Sequence, residues 1–540
     1  MVYPNSSEQN LLDHFFAART LEKYGSAFSE GSLFLSSLMQ NARAKNLCWE
    51  PQSEEIHRSI DALPKGVISG GEELYPSAPV IKNGKKYYLQ KNWVYETALL
   101  KAVKRLRALP PPPFHDEAQF FNELKQTVDE GKLLPEQASV AGSCFNTLFS
   151  LICGGPGTGK TYTAGILIRA LFASLNLAAK PSYKIILTAP TGKAASHLHS
   201  ALFAGGVLGS ALKIETSTLH RLLKLTPGKN HLFSPRKIDA DLILVDEASM
   251  LDVPLLLQLL EGVSDQTRLV LMGDPDQLPP VDEISLFAEM ATLLAQPLKK
   301  SLRTKEDKIQ RLGQLINEGD AEAIETLFAE TQASVKRLPW GFDETLQTRL
   351  FEEIQPVLSD QEPAPEACLN QMNQLRVLGA LRQGPFGIDA LNSGLVKKMA
   401  QCVRPKQWWV IPIMITSNQP RLNLYNGTCG CLIGRNMGHG IHFREATAYF
   451  PGDVKGAFRS FKTLPSFDVA FCLSIHKSQG SEFDRVIALF PPGSENFGRE
   501  AIYTAATRAK KEFGFVGEKE ILRKMLSQHS RRMSGFIERF

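Results

Sequence analysis

The chain is poor in the features that would place it outside the cell or in a membrane. Its eight cysteines are scattered over 540 residues with no CxxC pair, so neither a zinc ribbon nor a disulfide scaffold is indicated. Cys429 and Cys431 form a lone CxC with no further ligands in reach, which reads as part of a strand. No apolar run approaches the ~20 residues of a membrane span, and Met1–Asn5 lacks a basic-then-apolar leader. A cytoplasmic, reduced protein is the expectation. Charge of one sign is scarce too: 61 Lys and Arg against 56 Asp and Glu leave +5, which permits nucleic acid without demanding it. No repeat of fixed period exists, so solenoids and propellers are disfavoured.

What is present is an ordinary globular composition, 43% hydrophobic and 22% charged, in a chain long enough for several domains. Two proline-rich stretches punctuate it. Pro110–Pro113 must be extended, because each ring fixes φ and removes a donor; it ends the helical pattern of Thr97–Leu109 and is expected to part an N-terminal domain from the rest of the chain. Ser359–Glu366, with Pro363 and Pro365, reads as a surface crossover.

Between them, apolar runs alternate with helical patterns, the mark of a parallel sheet wound by helices. The expected strands are Leu148–Cys153, Lys184–Ala189, Leu242–Val245 and Leu269–Met272, and a polar motif succeeds each: GGPGTGKT, TAPTGKAA, DEASMLD and GDPDQLPPV. Open α/β sheets bind ligands at the carboxyl ends of their strands, so these motifs converge on one crevice.

The first motif is a phosphate loop. Gly154, Gly155, Pro156, Gly157, Thr158 and Gly159 coil the backbone around an anion, ahead of the helical pattern Tyr162–Ser174. Lys160 reaches the β- and γ-phosphates of ATP, and the Thr161 hydroxyl ligates Mg²⁺. Asp246, after LILV, suits the same Mg²⁺ through water; Glu247 beside it is free to act as base toward the attacking water. Gln277 carries an amide suited to sensing the γ-phosphate.

These motifs, with STLHRLL (217–223), SIHKSQGSEFDRV (474–486) and YTAATRAKK (503–511), resemble in order those of superfamily 1 DNA helicases, and most closely the RecD branch, the exonuclease V alpha-subunit family. The resemblance runs from about Gln137 to Gly517, and weakly into Lys85–Leu106. It implies an α/β fold: two RecA-like parallel-sheet P-loop motor domains, a helical N-terminal domain and a small SH3-like β insertion in the second motor. The boundaries it suggests are 1–108 for partner docking, 115–358 for the first motor and 367–540 for the second, with a β-barrel insertion near 423–463. Leu375–Leu395, Trp408–Thr416 and Val469–Phe515 are expected in the second motor.

The same resemblance assigns Gln137 to reading adenine, and Arg303 and Arg508 to stabilising charge on the transferring phosphate. Thr304 replaces the aromatic that usually comes after the first arginine. Tyr162, Gly480 and Glu482 complete the nucleotide set. Thr188, Thr191, Lys193, Thr218, His220, Ser474, His476 and Lys477 lie outside the ATP crevice and are expected to grip the phosphates of single-stranded DNA without reading bases. The implied activity is an ATP-dependent 5′-to-3′ translocase and helicase acting at duplex ends in recombinational repair, joined to RecB-like and RecC-like subunits. A standalone RecD-type helicase is the alternative. A P-loop kinase of a small substrate would leave Arg508 and HKSQGSEFD unexplained, and an intact set of ATPase residues argues against a decayed site. No further carboxylate cluster suits nuclease metals, so that chemistry is expected on a partner.

Overall fold

A computed structural model describes residues 6–26, 31–203, 212–225, 237–280, 284–300, 308–330, 334–417, 419–422, 424–451, 458–528 and 532–540. The first motor sheet has five parallel strands in the order Phe149–Cys153, Arg268–Gly273, Leu242–Val245, Tyr183–Ala189, Leu212–Thr218. Its middle strands are covered on both faces, which is why they read as unbroken apolar runs: all four residues of Leu242–Val245 are buried. The outer strand, Leu212–Thr218, is polar and half exposed, and composition alone does not reveal it.

A second five-stranded parallel sheet runs Val335–Arg337, Ala509–Val516, Phe483–Leu489, Leu375–Gly379, Cys472–Ser474. Its first strand comes from before the expected boundary at 358. Helices Lys308–Glu318 and Ala321–Ala329 also bury their apolar faces in the second core, through Leu312, Ile316 and Leu327. The first motor therefore gives up its domain near 300, where Leu298 N–H still donates to Cys153 O at 2.8 Å.

Trp408–Ile415 does not join the second parallel sheet. It pairs antiparallel with Cys429–Arg435 and Phe467–Val469, at the centre of a six-stranded antiparallel sheet that also takes in Leu358–Ser359, Thr447–Tyr449 and Phe458–Ser460. The insertion is thus wider than 423–463, because an apolar run carries no mark of the partner it will choose. The CxC lies in strand Cys429–Arg435, as expected.

Residues 1–108 are not simply helical, nor set apart. Cys48–Trp49, Ile68–Gly70, Val80–Asn83 and Lys86–Leu89 form a four-stranded sheet against helices Ser6–Lys23 and Ser32–Arg43. The long helix Gln90–Ala108 then packs Leu99, Val103 and Leu106 into the core of the first motor beside helix Val253–Gly262. Arg105 donates to Leu260 O at 2.9 Å. The helix stops at Leu109 (φ −78°, ψ 139°) as the prolines require, but the domain seam lies before the helix rather than after it.

The last residues return to this seam. After helix Lys519–Ser527 in the second core, Phe536 is fully buried in the first core, and Leu47 N–H donates to Met533 O at 2.9 Å. The chain accordingly crosses between the motor halves twice, between 298 and 308 and between 527 and 532.

Candidate nucleotide site and strand track

The phosphate loop leaves strand Phe149–Cys153 and enters helix Lys160–Ala173. Gly157 (φ 77°) and Gly159 (φ 83°) hold left-handed conformations that the turn needs, and a Cβ on Gly154 would lie 2.6 Å from Thr158 Oγ1. Pro156 lies within the loop, and Thr161 opens the helix behind Lys160. The Lys160 ammonium donates to Gly154 O at 2.8 Å and Gly155 O at 3.2 Å, so it lies across the loop mouth where a phosphate would recruit it. Tyr162 sits at the lip, with its hydroxyl donating to Lys132 O at 2.7 Å. Gln137 is buried beneath: its amide N–H donates to Thr158 O at 3.2 Å and its Oε1 accepts from Leu134 N–H at 3.1 Å. In this arrangement the amide braces the loop; reading adenine requires it to exchange these bonds.

Two strands away, Asp246 N–H donates to Thr188 O at 2.9 Å, and Asp246 Oδ1 accepts from Glu247 N–H at 2.9 Å. Glu247 takes a left-handed backbone (φ 52°, ψ 39°), a strain of roughly 1–3 kcal/mol for a residue other than glycine. Burial first, and then the Glu247 charge, raise the Asp246 carboxyl above the usual range, with Lys160 opposing. Adjacent carboxylates whose charges repel, close enough to Lys160 of the phosphate loop to feel its charge, fit a divalent cation.

Gln277 donates from Nε2 to Asp274 Oδ2 at 3.2 Å, while its Oε1 is buried without a hydrogen bond. Asp274 also accepts from the Tyr503 hydroxyl of the second motor at 3.0 Å. Tyr503 lies on helix Gly498–Thr507, whose C-terminal cap is Arg508. Arg508 is buried, donates only weakly to Ser481 O at 3.3 Å, keeps Nε unpaired, and has no carboxylate partner among the described residues. A buried guanidinium so placed calls for an anion. Gly480 (φ 70°) brings the neighbouring loop to the first motor, where a Cβ would sit 3.9 Å from Glu247 Oε1 and 4.0 Å from Thr191 Oγ1. Glu482 pairs with Lys510 at 3.7 Å. Arg303 lies outside the described residues.

Of the expected track, Thr188 does not reach a surface: it is fully buried in its strand, and its carbonyl supports Asp246. Thr191 Oγ1 accepts from Ala194 N–H at 3.2 Å and Thr218 Oγ1 from Arg221 N–H at 3.4 Å, each capping a helix. The two caps adjoin, since a Cβ on Gly192 would lie 3.8 Å from Thr218 Cγ2. His220 is exposed beside them. Lys193 opens the same helix as Thr191, and its side chain is not among those described. On the second motor, Ser474 Oγ accepts from Lys477 N–H at 3.2 Å, the Lys477 ammonium rests on Asp468 at 2.9 Å, and the His476 ring stands edge-on to Phe497 at 6.3 Å.

The seam residues Asp274, Tyr503, Thr504 and Gln479 were not singled out by the sequence reading, although all four lie inside its motifs. Leu278 N–H donates to Thr504 Oγ1 at 2.8 Å and Gln479 Nε2 to Leu278 O at 2.7 Å, so the loop after the fourth strand is fastened to the opposite motor.

Two parallel sheets that close on one phosphate loop, the first bringing lysine and carboxylates and the second an arginine with no carboxylate partner among the described residues, define a nucleotide-driven motor of the superfamily 1 helicase class. The family models agree: residues 137–283 match the AAA domain and 469–516 the UvrD-like helicase C-terminal domain. The chain is 31% identical to the RecBCD enzyme subunit RecD of Mycolicibacterium smegmatis, over 84% of this chain and 82% of that one. It is 27% identical to the RecD subunit of Haemophilus influenzae, over 89% and 86%. It is 29% identical to the ATP-dependent RecD2 DNA helicase of Deinococcus radiodurans, over 78% of this chain but 55% of that one. The chain belongs to the RecD family of ATP-dependent DNA helicases.

Proposed function

We propose that the chain moves 5′-to-3′ along single-stranded DNA, opening duplex ends as the motor subunit of a RecBCD-type assembly whose nuclease chemistry resides on a partner. The observation that carries the motor reading is the seam. Tyr503, Thr504 and Gln479 of the second motor bond Asp274 and Leu278 of the first, beside the phosphate loop, and this supports a cleft in which Lys160, Glu247 and Gln277 work opposite Arg508. Thr161 and Asp246 would hold Mg²⁺, which shields phosphate charge when bound. Lys160 and Arg508 stabilise the charge of the departing phosphate, and Glu247 takes the proton of the attacking water. Opening and closing the cleft moves the Thr191 and Thr218 caps relative to Ser474 and His476, so that a strand held alternately by the two sets advances.

Partner assembly finds support in the relatives named as RecBCD subunits, to which the similarity extends over 82% and 86% of their own chains. It finds further support in helix Ser6–Lys23, where Leu11, Leu12 and Phe15 are 73%, 59% and 59% exposed on the N-terminal domain. Such an apolar stripe suits a RecB-like or RecC-like surface.

Steady-state ATPase and unwinding test this reading. Turnover should rise with single-stranded DNA and the rise should shrink with salt, as phosphate contacts exchange for counterions. Duplexes with a 5′ tail should open and those with only a 3′ tail should not, neither strand should be degraded, and Lys160→Ala should abolish both activities. Co-purification with RecB-like and RecC-like chains should fail for the Leu11→Ser, Leu12→Ser, Phe15→Ser triple variant. Unwinding from 3′ tails alone would overturn the polarity, and unchanged assembly would move the docking surface elsewhere.

A further inference from the structure

The hydrogen bond between Tyr503 and Asp274 joins the motors inside the nucleotide site, and its geometry bears on Gln277. Asp274 is 1% exposed and Tyr503 5%, so the bond forms out of water. One oxygen, Asp274 Oδ2, receives both the Tyr503 hydroxyl at 3.0 Å and Gln277 Nε2 at 3.2 Å, while Oδ1 receives Asp276 N–H at 3.1 Å. A carboxylate only accepts, so the Gln277 amide has one orientation that satisfies it: NH₂ toward Asp274, carbonyl turned away from it. That carbonyl is the buried, unbonded Oε1, a vacant acceptor able to take a hydrogen bond from the attacking water and hold it in place. Tyr503 also lies against the phosphate loop, its hydroxyl 3.0 Å from where a Gly155 Cβ would be. Burial first, then Asp274, raises the Tyr503 hydroxyl well above its ordinary range, so it remains a donor. The other seam bonds, through Thr504 and Gln479, fasten Leu278 and leave the Gln277 amide alone.

We propose that Asp274 and Tyr503 are a positioning pair that makes the orientation of Gln277 conditional on closure of the two motors. When the halves part, Tyr503 withdraws from Asp274 and the carboxylate is free to turn, which releases the amide. When a DNA strand draws the halves together, the second donor returns and Oε1 is aimed again. Hydrolysis is thereby tied to grip. This inference rests on the DNA-driven ATPase reading above.

The test is steady-state ATPase of the full chain with and without an oligo-dT strand, for wild type, Tyr503→Phe, Asp274→Asn and the double variant. Losing one charge-assisted hydrogen bond should lower the ratio of stimulated to unstimulated turnover about tenfold in Tyr503→Phe, with KM for ATP within about twofold. Asp274→Asn should lower it as much or more, since its amide can donate and lets Gln277 flip. If the two act as one unit, the double variant is no worse than Asp274→Asn. Thermal unfolding midpoints and binding of a fluorescent ATP analogue establish that each variant is folded. Equal loss with and without DNA, additive losses, or stimulation retained in Tyr503→Phe would overturn the pair alone. A wild type indifferent to DNA would instead remove the reading beneath it.

Discussion

Replacing Arg539 by Ala should loosen the join between the N-terminal domain and the first motor. Arg539 donates to Glu96 Oε1 at 2.7 Å and to the Thr97 hydroxyl, and its guanidinium lies 3.7 Å from the centre of the Trp93 ring. Glu96 is fully buried. Without Arg539 it keeps two neutral donors, Gly535 N–H at 3.0 Å and the Tyr88 hydroxyl at 3.2 Å. Breaking a buried pair costs about 3–5 kcal/mol, and the remaining donors put this one near the low end. The lost contact with Trp93 adds about 1 kcal/mol, for a total of about 4 kcal/mol. Glu96→Gln should cost less, because an amide oxygen still accepts from Arg539 and Gly535. Urea unfolding gives the size of the effect. Hydrogen exchange gives its place: the amides of Leu47 and Cys48, which donate to Met533 O, and of Gly535 should lose protection before those of strand Leu242–Val245. A cost below about 1 kcal/mol for Arg539→Ala, or uniform loss of protection, would show that the end of the chain does not hold this join.

Glu247→Gln should still bind ATP while turnover falls about 10²–10⁴-fold, since the amide keeps the shape and loses the base; loss of nucleotide binding in a fluorescence titration would assign Glu247 another task. Burial, with the Arg268 charge adding to it, lowers the His115 imidazole from 6.5 to about 4. The unfolded chain therefore binds the proton that the folded chain refuses: the stability is full above pH 6.5 and is lost as pH falls from there toward 4. With solvent screening this is about 1–2 kcal/mol between pH 7 and 4, read as the difference between unfolding midpoints, and His115→Gln should flatten that part of the profile.

Where the phosphate-loop residues and their neighbours would stand was legible because the signal is local. Phosphate loop, carboxylate pair and Gln277 each come directly after a strand that is buried on both faces, so an apolar run announces where the polar motif begins. Arg508 came from its motif. Thr188 was misplaced because it is the penultimate residue of strand Tyr183–Ala189, where alternation decides whether a side chain faces the cleft or the core. Tyr503 and Asp274 stood in plain view inside two motifs, yet the bond between residues 229 positions apart is a property of the closed cleft. The domain seams failed for a related reason. Prolines mark where a helix ends, whereas a domain ends where packing changes hands, and Leu99, Val103 and Leu106 had already passed to the motor.

The double passage of the chain between the motors limits how they can move. A single covalent link would act as a pivot and leave one half free to swivel about it. Here the chain leaves the first core after Leu298 and returns to it with Phe536, so the second motor is tethered at both of its ends. Its travel relative to the first is bounded by two tethers instead of one, and a nucleotide cycle that opens the cleft works within that reach.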